Sequence, residues 1–201
     1  MTEAINKYIE IMIKVYKNTR QQPKLRPVKG LERHSWIRVT DPNEEEVKKL
    51  SKTLNLPVDI IQDSLDEFEL PRIKTHKDTV IIIMRTPVKE RTHYTTLPLT
   101  IILTRDYVVT IAPRIINVAE DIANRVIKII TTQKSNFLIQ TALRTIYYYQ
   151  RYITIINKVI QQEKAHLSNI AKSDVLKLIE TEEVLNNFIA SLSPTITTLK
   201  K

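Results

Sequence analysis

From Tyr8 to Val15 the apolar residues Ile9, Ile11, Ile13 and Val15 alternate with Glu10 and Lys14, broken once by Met12, and this two-residue period predicts a half-buried first strand. Trp36-Ile37-Arg38-Val39 predicts a second, short one. Asp41-Pro42-Asn43-Glu44 then places an N-cap acid, a proline at the first helical position and an acid three residues after the cap. A helix is therefore expected over Pro42–Leu54, with Val47, Leu50 and Leu54 on its apolar face. Asn55-Leu56-Pro57 closes it and opens a second short helix carrying Val58, Ile61 and Leu65, which ends before Asp66-Glu67-Phe68-Glu69 and Pro71. Three strands are expected next, over Ile73–Thr86, Leu97–Leu103 and Tyr107–Ala112. Only Thr104-Arg105-Asp106 separates the last two, which should form an antiparallel hairpin.

Beyond Ile115 the period becomes helical. One helix is expected over Ile116–Ile130. A long one follows from Phe137 to about Ile170, on a stripe of Ile139, Ala142, Ile146, Tyr149, Ile153, Ile156 and Ile160. A last helix starts near Asp174 and carries Leu178, Leu185, Phe188, Leu192, Ile196 and Leu199, with Pro194 as a point of kinking. No cap or turn cluster precedes Lys201, so this pattern is expected to continue past it. Strands followed by helices predict an α/β fold with a mixed, mostly antiparallel sheet between helical layers and a long helical arm. Residues 1–136 make the sheet domain in this reading, and residues 137–201 the long helices.

Composition narrows the chemistry. The 201 residues include no Cys and one Gly. That excludes disulfides, thiolate metal sites and cysteine nucleophiles, and it leaves no glycine-rich loop to cradle phosphates. A hydrophobic share of 42% is enough for a core, and Lys plus Arg exceed Asp plus Glu by 31 to 22, a formal +9. The densest basic stretch, Arg20 to Arg38, is interrupted by Pro23 and Pro27 and reads as a solvated connector. No signal peptide is legible in Met1 to Arg20, and the longest apolar run, Val80 to Met84, is far short of the roughly 20 residues that span a bilayer.

Glu163 and His166 share a helical face at i, i+3, but a dimetal bundle needs that pair twice, and it occurs once. His34, His76 and His93 fall in separate segments and read as surface histidines. Tyr147, Tyr148, Tyr149 and Tyr152 occupy several faces of a helix and are expected to pack against the sheet and a neighbouring helix. The serines lack the glycines of a nucleophile elbow. The acidic group Asp63, Asp66, Glu67 and Glu69 is the best candidate for a hard cation, because magnesium takes oxygen ligands and keeps waters beside one or two carboxylates.

Three stretches carry a family resemblance. Trp36 to Pro42 is followed by an acidic helix; Ile60-Ile61-Gln62-Asp63-Ser64-Leu65-Asp66 leads to Leu70-Pro71-Arg72-Ile73; and Asp78 to Pro87 is followed by Leu99 to Thr110. In this order and with these gaps, from about Trp36 to the end, the chain resembles the cytosolic domain of the CorA family of magnesium and cobalt channels. The resemblance implies an α/β/α funnel domain, a homopentamer and a stalk helix leading from the last segment into the membrane. It implies that Asp63 occupies the position of an aspartate that binds a regulatory divalent ion between subunits. Helical spacing adds Asp66, one turn further on the same face, as the second candidate ligand. Magnesium, or cobalt, is the ion expected, bound weakly. Gln62 stands where the family often has glutamate, and Arg144 falls where it has a further carboxylate. The two transmembrane helices and the Gly-Met-Asn pore signature are not in this chain.

The expected function is thus a regulatory, gating part of a CorA-like divalent-cation transporter at the cytoplasmic face of the cell membrane, and not an enzyme. Its partners are divalent cations and further copies of itself, with no nucleic acid. The rival reading from the charge balance is a soluble basic nucleic-acid-binding module. A zinc transporter of a related family is a third.

Overall fold

The computed structural model describes residues 13–91, 93–165 and 172–200, with side chains throughout except at 162–178. Its strands explain why Ile81-Ile82-Ile83-Met84 is apolar without alternation: Ile82 and Met84 enter one core cluster while Ile81 and Ile83 enter another on the opposite face. Both faces of the sheet are covered. The strands are β1 (Ile13–Lys17), β2 (Arg26–Pro27), β3 (Ser35–Thr40), β4 (Arg72–His76), β5 (Thr79–Glu90), β6 (His93–Leu103) and β7 (Tyr107–Ala112). They lie in the order β2-β1-β3-β7-β6-β5-β4, all antiparallel except β3 beside β7.

One face is covered by α1 (Glu44–Leu54) and α2 (Val58–Asp63), whose Val47, Leu50, Leu54, Ile60 and Ile61 pack on Ile37, Val39, Ile102 and Val109. The other face carries α3 (Asn117–Ala123), α4 (Lys134–Ala165) and α5 (Lys172–Leu199). Phe137, Tyr148, Tyr149, Tyr152 and Ile156 of α4 and Phe188 of α5 share one cluster with Trp36, Met84, Leu99 and Val108 of the sheet. Trp36 is fully buried between Tyr16 and Phe137, its ring centroids 5.0 and 5.6 Å from theirs, and its Nε1 donates to Thr110 Oγ1 at 2.9 Å. The mixed, mostly antiparallel sheet between helical layers is the architecture expected from the sequence. No helix among the described residues is long and apolar enough to cross a membrane.

Several local expectations change, and the strand expected over Leu97–Leu103 starts already at His93. The first helix begins at Glu44, two residues later than a cap at Asp41 would place it, because Asn43 accepts from Glu46 N while the Glu46 carboxylate accepts from Asn43 N. The strand expected over Ile73–Thr86 is two, β4 and β5, folded back at Lys77-Asp78, with Lys77 at φ 52°. The helix expected over Ile116–Ile130 stops at Ala123. There Arg125 takes φ 63°, its N–H bonds Ile122 O, and Val126 N–H bonds Asp121 O, a Schellman-type ending built without glycine. The first strand runs to Lys17, while Ile9 and Ile11 lie outside the described residues, as do the side chains of Glu163 and His166. The helix α5 continues through Pro194, with Thr195 Oγ1 donating to Ser191 O at 2.8 Å.

Candidate functional site

The acidic segment sits between the end of α2 and the start of β4, and it is built by its own side chains. Beyond Asp63 the chain leaves the helix: Leu65 N–H bonds Gln62 O at 2.9 Å, and Asp66 N–H bonds Asp63 O at 3.3 Å. Asp66 Oδ1 then accepts from Phe68 N at 3.0 Å, the local turn that aspartate favours. Glu69 N–H returns to Asp66 O at 3.0 Å, and Leu70 N–H reaches Glu69 Oε1 at 2.8 Å. Asp66 therefore belongs to a turn after α2, and not to the helical face that carries Asp63.

Charge holds this loop from outside. Arg72 bridges Asp63 Oδ2, at 2.8 Å, and Glu69. Arg114 grips Glu67 through Nε at 2.7 Å and Nη2 at 2.9 Å and also reaches Glu90, at 2.5 Å. Glu90 pairs in turn with His93 at 3.1 Å, an acidic neighbour for that histidine which the strand turn supplies. Among the described residues Asp66 is the loop carboxylate without an ion pair. Arg85, half-buried, donates to Glu67 O and Glu69 O, each at 2.9 Å, and burial lowers its pKa against the opposing pull of Tyr149, Asp66 and Glu67. Sequence reasoning missed Arg85, since its partners lie on four separate segments.

What the loop presents outward is apolar and acidic together. Phe68 is 86% exposed and Leu70 68%, flanked by carboxylates. No group of three or more His, Asp or Glu side chains that could hold a metal ion occurs among the described residues. Asp63 and Asp66 carry hard oxygen atoms, and among the described residues they are not part of a group of three or more ligating side chains.

Arg144 and the tyrosines of α4 serve packing. Arg144 does not stand open to repel a cation: its Nε lies 2.6 Å from Asp121 Oδ2, and its guanidinium lies over the Tyr147 ring, 4.2 Å from the centroid. Tyr148, Tyr149 and Tyr152 are buried, and Tyr147 is 41% exposed.

Comparison with known proteins gives a consistent picture. The sequence profile of one family, described as CorA-like Mg2+ transporter protein, matches residues 32–201. The cobalt/magnesium transport protein CorA of Methanocaldococcus jannaschii is 30% identical over 135 residues, which is 67% of this chain and 39% of that protein. The chain therefore aligns with about two-fifths of the curated relative. In solved structures, the soluble domain of CorA from Methanocaldococcus jannaschii superposes with a TM-score of 0.82 at 23% identity, over 94% of this chain and 78% of that one. The complete CorA magnesium transporter of the same organism gives 0.79 at 21%, over 92% and 60%. The ZntB cytoplasmic domain of Vibrio parahaemolyticus gives 0.71 at 11%, over 94% and 78%. At these identities the superpositions speak for the fold.

Proposed function

The chain belongs to the CorA-like Mg2+ transporter family, and from that membership we propose that it is the cytoplasmic, ion-responsive part of a divalent-cation transporter. Magnesium or cobalt is the ion, copies of the chain are its partners, as a pentamer in the whole transporter, and gating rather than catalysis is its task. The observation that supports this reading is the loop between α2 and β4. Asp63, Glu67 and Glu69 are held by arginines while Asp66 is left without an ion pair, and among the described residues these carboxylates do not converge into a metal site, which fits a cation shared with a second copy.

Asp63 and Asp66 supply oxygen donors at that shared surface, and Gln62 can add a neutral carbonyl oxygen. Facing carboxylates repel, and a dication between them offsets that repulsion, so its departure lets the subunits separate. An ion that keeps its waters binds such outer partners weakly, in the millimolar range. The helices α4 and α5 pack on the same sheet and are the elements through which a change at the subunit boundary reaches the membrane part.

The test is a magnesium titration read by melting temperature and light scattering for the wild type, Asp63→Ala and an Asp59→Ala control. Stabilisation or association by millimolar magnesium in the wild type and the control, lost in Asp63→Ala, is the expected result. Equal curves for all three would remove Asp63 from the mechanism. Retention on heparin that weakens steeply with salt would favour the basic nucleic-acid module instead.

A further inference from the structure

Arg85 stands where β5 loses its outer neighbour. The strand β4 pairs with β5 only as far as Arg72 opposite Ile83, and beyond that point both main-chain groups of Arg85 are met by side chains of the long helices. Arg85 N donates to Thr195 Oγ1 of α5 at 3.3 Å, and Arg85 O accepts from Tyr149 Oη of α4 at 3.3 Å. Both groups face away from β6, where the residue opposite Arg85 is Pro98. The guanidinium points the other way along the molecule, with Nη1 on the carbonyls of Glu67 and Glu69, Nε on Thr96 Oγ1 at 2.9 Å and Nη2 on Thr96 O at 2.6 Å. Thr96 Oγ1 itself lies 2.9 Å from Ser191 Oγ of α5.

We propose that Arg85 is a positioning residue that couples the acidic loop to α5, so that displacement of the loop is passed to the last helix. A guanidinium is a planar fork, and its donors are fixed relative to one another. Two loop carbonyls, one β6 residue and, through Thr96 and the Arg85 amide, two hydroxyls of α5 are therefore held in one geometry. The group is half-buried, so water can replace only some of its partners, and a loop that moves without the helix leaves the enclosed hydrogen bonds unmade. The role of this coupling in the transporter rests on the reading of the loop as ion-responsive; the coupling itself can be measured without any ion.

The measurement is native-state hydrogen exchange, with a chelator present. The amides of Asp66, Phe68, Glu69 and Leu70 are all hydrogen-bonded and report on the loop, and those of residues 185–200 report on α5. The informative variant is Ser191→Ala with Thr195→Val, whose hydroxyls make no hydrogen bond to the loop. It should nevertheless speed exchange of the loop amides by about three- to tenfold. Arg85→Lys, which keeps the charge but not the fork, should speed both groups. Arg144→Gln, on the opposite flank of α4, is the control for general loosening and should leave the loop within about twofold. Faster exchange confined to α5 in the double variant, or equal acceleration of the loop in the control, would overturn the proposal. Should Arg85→Lys fail to fold, the other two variants decide. A loop that passes this test but ignores magnesium keeps the coupling and discards the ion response, while the reverse result discards only the coupling.

Discussion

Tyr148 Oη and Arg144 Nε converge on a single oxygen, Asp121 Oδ2, each at 2.6 Å. This joins α4 to α3 through one carboxylate, and it turns a cation that looked hostile to ion binding into half of a partly buried pair. Asp121→Asn keeps the shape and removes the charge, leaving Arg144 without its anion. Denaturant unfolding should show a loss of about 1–3 kcal/mol. An unchanged midpoint would mean that solvent replaces the pair at no cost.

The same triad has a spectroscopic consequence. The Tyr148 phenol is pushed up to about 12 by burial first, then by its hydrogen bond to Asp121 and that residue's charge, with Arg144 opposing. A folded-state pKa above the unfolded value of about 10 means that the native chain holds a proton the unfolded chain releases. Stability therefore falls as pH rises through that window, and burial moves Tyr149 in the same direction. Subtracting the phenolate titration of Tyr148→Phe from that of the wild type should leave one component with a midpoint near the upper end. A component near the ordinary value would show that neither burial nor Asp121 holds the phenol.

Arg72 competes with any cation for Asp63, since its Nη2 lies 2.8 Å from Asp63 Oδ2. Arg72→Gln should therefore bring the magnesium-dependent rise in melting temperature to a concentration about two- to fivefold lower, the scale of an exposed ion pair. The stability without magnesium should change by less than about 1 kcal/mol. An unshifted or weakened magnesium response would place ion binding away from Asp63.

Thr86 and Thr100 are fully buried, and their hydroxyls have no hydrogen-bond partner among the described residues. Thr100 lies in β6 between Ile83 of β5 and Ile111 of β7, an apolar setting for a hydroxyl. Thr100→Val replaces the orphaned group by a methyl of similar shape, and it should leave stability unchanged or raise it by up to about 1–3 kcal/mol. A clear loss in thermal unfolding would point to a partner, such as an enclosed water, for that oxygen.

Most strands and both long helices were legible because their periods are long and their cores continuous, as at Ile81–Met84. Three boundaries were not, for local reasons. Lys77 and Arg125 adopt left-handed backbone where glycine or asparagine would have announced a turn, and both Asp41 and Asn43 are credible caps until the Glu46 reciprocal bond decides. At the acidic loop, Asp63 was visible as an acid near a helix end, but its arginine partners come from Arg72 and, for Glu67, from Arg114 far along the chain. The placement of Asp66 on the Asp63 face failed because Asp66 prefers to bond Phe68 N and make a turn. Arg85 carried no pattern at all, since its role depends on residues brought together only by the completed sheet.

The single parallel pairing of the sheet sets an order of events on the ribosome. The strand β3 is complete at Thr40, but its neighbour β7 begins only at Tyr107, after the whole β4–β5–β6 meander. At about 5–20 residues per second, β3 waits several seconds with one edge unpaired and with Trp36, destined for the centre of the core, lacking its cover. The meander is made of neighbouring antiparallel strands and can form first from local contacts. The strands β1 to β3 then join an existing template, which leaves them exposed to a chaperone or to mispairing during synthesis.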